Sequence, residues 1–124
     1  MPFFDEWVRC EPLLRAAWAR SPQLWSLEAV RERARVGDGV FFFPGARAAI
    51  VGEIVPGDLR QAFNFWLGAG DRRELFDMAR RIEAWARAQG CSVFLVQGRR
   101  GWARYAASQG YRRMADLYVK ESQA

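Results

Sequence analysis

The spacing of apolar positions changes character along the chain, and those changes predict its elements. Leu13, Leu14, Ala17 and Trp18 recur at helical spacing, with Pro12 suited to the first turn of that helix. Ser21-Pro22 breaks it. A second helix starts from Ser26 as N-cap, puts Leu27, Val30 and Ala34 on one face, and stops at Gly37 and Gly39. The period then shortens. Val40 to Phe43, Ala48 to Val55 and Gln61 to Leu67 read as three strands, separated by Pro44-Gly45 and by Pro56-Gly57-Asp58. Turns this short predict an antiparallel meander.

Helical spacing returns after Gly68-Ala69-Gly70. Asp71 and Glu74 have the form of a capping box, and Leu75, Ala79, Ile82 and Ala86 make an apolar stripe. Arg72, Arg73, Arg80, Arg81 and Arg87 occupy the other faces, and Gly90 is the stop. Cys91 to Val96 reads as a buried strand, Gly101 to Gln109 as a short helix ended by Gly110, and Tyr111 to Lys120 as a last strand. A helical crossover joins the strands at 61–67 and 91–96, which predicts a parallel pair. The expected fold is a mixed α/β sheet with helices on both faces, forming one domain over 1–124. It is not a Rossmann fold: the leading strands are antiparallel, and no strand precedes a Gly-x-Gly-x-x-Gly.

Composition narrows the chemistry. With 51% hydrophobic and 15% aromatic residues the chain can build a core. No apolar run approaches the ~20 residues of a membrane span, and Met-Pro-Phe-Phe-Asp-Glu does not resemble a signal peptide. A bacterial cytoplasm, or a particle assembled there, is the expected location. The chain has no histidine, which removes imidazole bases and the commonest zinc ligand. Cys10 and Cys91 lie far apart and fit no metal or redox spacing, so no metal site is expected. The net charge of +5 is almost all arginine, with Lys120 the only lysine. A basic surface of this kind can meet nucleic acid, acidic protein or phosphate.

The phrase Trp85-Ala86-Arg87-Ala88-Gln89-Gly90-Cys91, followed by Val93 to Val96 and by Gly110-Tyr111, resembles the second half of GNAT N-acetyltransferases. The two leading helices and Val51-Gly52-Glu53-Ile54 fit the same layout. Gln23-Leu24-Trp25, Gly98-Arg99-Arg100-Gly101-Trp102 and Gly110-Tyr111 also look like small GNAT-like proteins of tailed bacteriophages and prophages. That likeness implies a role in the virion or its assembly, with other phage structural proteins or a second copy as partners.

The resemblance also says where acetyl-CoA chemistry would sit. GNAT enzymes hold the pyrophosphate on a Gln/Arg-x-x-Gly-x-Gly/Ala loop that opens the central helix, where backbone N–H groups meet the phosphates. Family spacing lays that loop on Gly70 to Leu75. Gly70 then stands in place of Gln or Arg, Arg73 in place of the first Gly, and Leu75 in place of Gly or Ala. A shifted register would recruit Gly68 and Gly70, with Arg72 and Arg73 drawing the anion. On the other reading the glycines only turn the chain, and the arginines are a solvated first turn. The usual acid, a Tyr four residues before the late Gly-Tyr, is here Ala106; Tyr105 is adjacent but rotated by about 100°. Arg99 replaces the Asn that commonly begins that helix. Glu53 and Asn64 are the remaining candidates for the general base or for positioning the amine.

These departures imply a GNAT-like protein with a degraded acetyl-CoA loop that needs no cofactor and is not an enzyme. The alternative is a divergent N-acetyltransferase that uses acetyl-CoA. Trp102 with Arg99 and Arg100 reads either as core or as an interaction patch. The run Phe41-Phe42-Phe43 must serve both faces of its strand.

Overall fold

A computed structural model describes residues 2–98 and 102–122. Chain order is α1 (Pro2–Ala19), α2 (Leu27–Val36), β1 (Val40–Pro44), β2 (Ala48–Val55), β3 (Ala62–Gly70), α3 (Arg72–Ala88), β4 (Val93–Val96) and α4 (Ala103–Ser108). The strands form one sheet in the order β1-β2-β3-β4. The first three pair antiparallel, and β4 joins β3 in parallel. The mixed α/β class and the crossover both hold.

α1 begins well before the expected start. Phe3, Trp7, Cys10 and Leu14 continue one apolar stripe, and the last three are 0–1% exposed. Pro12 sits inside this helix rather than in its first turn. It removes the bond to the Val8 carbonyl, but both residues are exposed, so water can replace it. The indole of Trp18 donates to the Trp25 carbonyl at 2.7 Å and closes the loop into α2. Ser26 Oγ accepts from the Ala29 N–H at 3.1 Å, and Gly37 ends α2 in the left-handed region, as the sequence predicts.

The sheet separates two cores. Trp7, Leu14, Val30, Val51 and Leu67 belong to the face under α1 and α2. Ile50, Phe63, Leu75, Ile82 and Ala86 belong to the face under α3. The aromatic run of β1 divides accordingly: Phe42 meets Trp7 at 5.0 Å on one side, and Phe41 meets Trp85 at 4.9 Å on the other. Both free cysteines are buried, and burial pushes the Cys10 thiol up.

Two features depart from the expected pattern. A register shift between Val51 and Gly52 leaves Trp66 as an extra residue in β3. Phe63 and Phe65 pack toward α3, whereas Trp66 and Leu67 both pack toward α1 and α2. The bulge therefore inverts the phase of β3. The second departure is the C-terminal segment. Residues 111–122 form no strand, although Tyr111 to Lys120 was expected to. Arg113 instead pairs with Asp116 three residues on, a spacing that puts two side chains on opposite faces of a strand. Met114, Leu117, Tyr118 and Val119 all stay exposed.

Candidate functional site

Strand β3 outruns its parallel neighbour. Pairing ends at Phe65↔Val96, while β3 continues to Gly70. Past Phe65 that side of β3 has no strand partner among the described residues. This splay leads to the first turn of α3, where the resemblance places a pyrophosphate.

The chain itself fills that turn. Gly70 has φ +120°, and a Cβ there would lie 2.3 Å from the Arg47 carbonyl oxygen, so glycine is required for β3 to pass the end of β2. At Gly68 a Cβ would lie 3.7 Å from Leu75 Cδ1 and 3.8 Å from Ile50 Cγ1, facing packed side chains. Asp71 caps α3, its carboxylate accepting from the Glu74 N–H at 3.0 Å. Glu74 reaches back to accept from the Arg47 N–H. Two carboxylates therefore stand at the positive end of α3, where an incoming anion would need free N–H groups.

Arg72 and Arg73, which follow Asp71 in this turn, are exposed. With Phe76, Arg80, Tyr105 and Gln109 they line an open groove of about 500 Å³ between α3 and α4. Phe76 and Tyr105 stack with centroids 3.7 Å apart and planes 7° apart. The Tyr105 hydroxyl donates to the Phe76 carbonyl at 3.1 Å, and burial pushes its pKa up. Tyr105 thus braces α4 against α3.

Glu53 and Asn64 face each other across β2 and β3, and Asn64 Nδ2 donates to Glu53 Oε1 at 3.0 Å. They lie six residues before Gly70 on the strand ladder, about 20 Å away at the usual strand rise. The structure therefore brings Tyr105 together with Arg72 and Arg73 in one groove, and leaves Glu53 with Asn64, and Gly68 with Gly70, outside it. Trp102 packs edge-on against Phe76 at 5.2 Å, within the α3 core. Arg99 and Arg100 lie outside the described residues.

Sequence reasoning missed Phe76, Arg80 and Gln109 as partners of Arg72, Arg73 and Tyr105. The four-residue steps 72–76–80 and 105–109 carry a signal, since residues four apart share a helix face. It also missed Glu83, which pairs with Arg87 at 3.1 Å and accepts from the Tyr111 hydroxyl at 2.8 Å. Burial and this hydrogen bond push the Tyr111 phenol far above its usual range.

No protein-family model and no curated protein matches the chain. Solved structures do. TTHA1254 from Thermus thermophilus superimposes with a TM-score of 0.60 at 16% identity, covering 92% of this chain and 90% of that one. A point mutant of TTHA1254 gives 0.62 with the same identity and coverage. A possible acetyltransferase from Clostridium difficile 630 gives 0.57 at 9% identity, covering 98% of this chain and 94% of that one. The architecture is GNAT-like.

Proposed function

We propose that this chain is a non-catalytic protein of the GNAT fold that acts by binding, in the particle of a tailed phage or prophage or in its assembly. The observation that carries the non-catalytic reading is the closed first turn of α3. A pyrophosphate bound there would meet the Asp71 carboxylate, already hydrogen-bonded to the Glu74 N–H, and Glu74 beside it. Like charges at contact distance oppose binding, and the donors that would offset them are partly used. Acetyl-CoA therefore does not fit the residues present. The transfer groups point the same way. Glu53 is engaged by Asn64, and the Tyr105 proton is held on the Phe76 carbonyl with its pKa raised.

Two assays test this reading. Incubation with acetyl-CoA and a panel of primary amines should release no free thiol above the rate without protein. Mass spectrometry of particles purified from an induced host should find the chain at a fixed ratio to the capsid protein. Thiol release that requires Glu53 or Tyr105 would overturn the first half, and absence from particles would overturn the second.

The alternative of a divergent N-acetyltransferase draws on one specific observation, the unpartnered stretch of β3 beyond Phe65 beside exposed Arg72 and Arg73. On that reading Gly68, Gly70, Arg72 and Arg73 hold the cofactor and Glu53 or Asn64 positions the amine. Arg73→Glu should then abolish cofactor binding.

A further inference from the structure

Charge is segregated along this chain. Residues 1–70 hold eight arginines against eight carboxylates, whereas residues 71–124 hold ten arginines and Lys120 against six carboxylates. The entire net charge of +5 therefore belongs to the second part. Within it, α3 brings three arginines to one groove.

Arg72, Arg73 and Arg80 line that groove with Phe76, Tyr105 and Gln109, and among the described residues no carboxylate lines it. Arg72 and Arg73 make no ion pair among the described residues. Arg80 is paired with Asp77 at 3.0 Å, yet both side chains are more than half exposed, so that pair is weak and exchangeable. From Arg72 to Arg80 the helix rises about 12 Å, which spreads the guanidiniums along the groove rather than around one point. Phe76 stacks on one face of the Tyr105 ring, and Tyr105 lines the groove beside the arginines.

A row of guanidiniums beside an aromatic ring matches one ligand chemistry: phosphates strung along a backbone with unstacked bases between them. We propose that the α3–α4 groove binds single-stranded nucleic acid, with Arg72, Arg73 and Arg80 on backbone phosphates and a base on Tyr105. A duplex keeps its bases stacked and offers none to a ring recessed between two helices. The site uses the arginine side chains and leaves the capped backbone of the α3 terminus alone.

The test is fluorescence anisotropy of a labelled oligothymidylate titrated with the full chain over a series of salt concentrations. Log affinity should fall linearly with log salt with a slope of about −2, the value for about three phosphates on a single strand. Arg73→Ala and Arg80→Ala should each weaken binding about three- to tenfold and flatten the slope by about 0.7. Tyr105→Leu should weaken binding without changing the slope, while Tyr105→Phe should retain it. Arg60→Ala, in the neutral part of the chain, should change nothing. Thermal unfolding of each variant establishes that it is folded. No binding at the lowest salt would overturn the proposal, as would equal losses from Arg60→Ala and Arg73→Ala, which would mean diffuse attraction. Polyglutamate binding as tightly as the oligonucleotide would also overturn it and make the groove a dock for acidic protein.

Discussion

Residues 1–70 and the stretch from Asp71 onward divide the work of this molecule unequally. Among the described residues, twelve of the eighteen buried apolar side chains lie in the first part, and none lies beyond Cys91. The first part is also electrically neutral, while the second holds the whole net charge. Burial of apolar area is the main source of stability, and unpaired exposed charge supplies surface attraction. The comparison teaches that α3 is the hinge of this arrangement. Its stripe of Leu75, Met78, Ile82 and Ala86 completes the second core, while Arg72, Arg73 and Arg80 face the groove.

Substitutions can break or sharpen that contrast. The largest effect is expected at Trp7, which is 1% exposed. Trp7→Ala should cost about 3–5 kcal/mol in denaturant unfolding. Leu117→Ser, in the exposed C-terminal segment, should stay within about 0.5 kcal/mol. Equal losses would show that the C-terminal segment is packed in solution.

A matched pair of glycines comes next. Both Gly70 and Gly110 have positive φ, but a Cβ at Gly70 collides with the Arg47 carbonyl and one at Gly110 meets nothing within 4 Å. Gly110→Ala should therefore cost only the backbone term of about 1 kcal/mol. Gly70→Ala should cost at least about 2 kcal/mol, because the end of β2 must also move. Asp71→Ala follows, with the loss of about 1 kcal/mol expected for an N-cap.

The smallest effect depends on pH. The folded state holds the Tyr111 phenol well above its unfolded pKa of about 10. Its contribution is therefore fully present below about pH 10 and is lost as pH rises further, because the unfolded chain releases a proton that the folded chain keeps. Unfolding free energy should decline above that pH, and Tyr111→Phe should flatten the decline. An unchanged slope in the variant would mean that Tyr111 is solvated.

Much of this architecture was legible because it rests on local chemistry. Ser26, Gly37 and Asp71 announce helix ends by residue type, and short turns such as Pro44-Gly45 dictate the meander. The first three turns of α1 were hidden by Pro12, whose usual meaning as a first-turn residue was overridden by the burial of Trp7 and Cys10. The bulge at Trp66 was hidden because both alternating and bulged registers place apolar residues inward in Phe63-Asn64-Phe65-Trp66-Leu67. In the site, the missing loop glycines could be read directly from Arg73 and Leu75. The groove could not, because it arises where α3 and α4 meet across 29 residues between Phe76 and Tyr105. The expected last strand does not form because residues 112–122 stay exposed and bury no face against the sheet.

The central claim is that the chain's own carboxylates close the first turn of α3 to a pyrophosphate. Its most direct test is thermal unfolding with and without acetyl-CoA. A cofactor present at about 100 times its dissociation constant adds about 2.7 kcal/mol, which moves the midpoint of a domain this size by several degrees. The account predicts no shift at millimolar acetyl-CoA. A rise of several degrees that adenosine alone does not give, and that Arg73→Glu abolishes, would contradict it and establish a cofactor site in the first turn of α3.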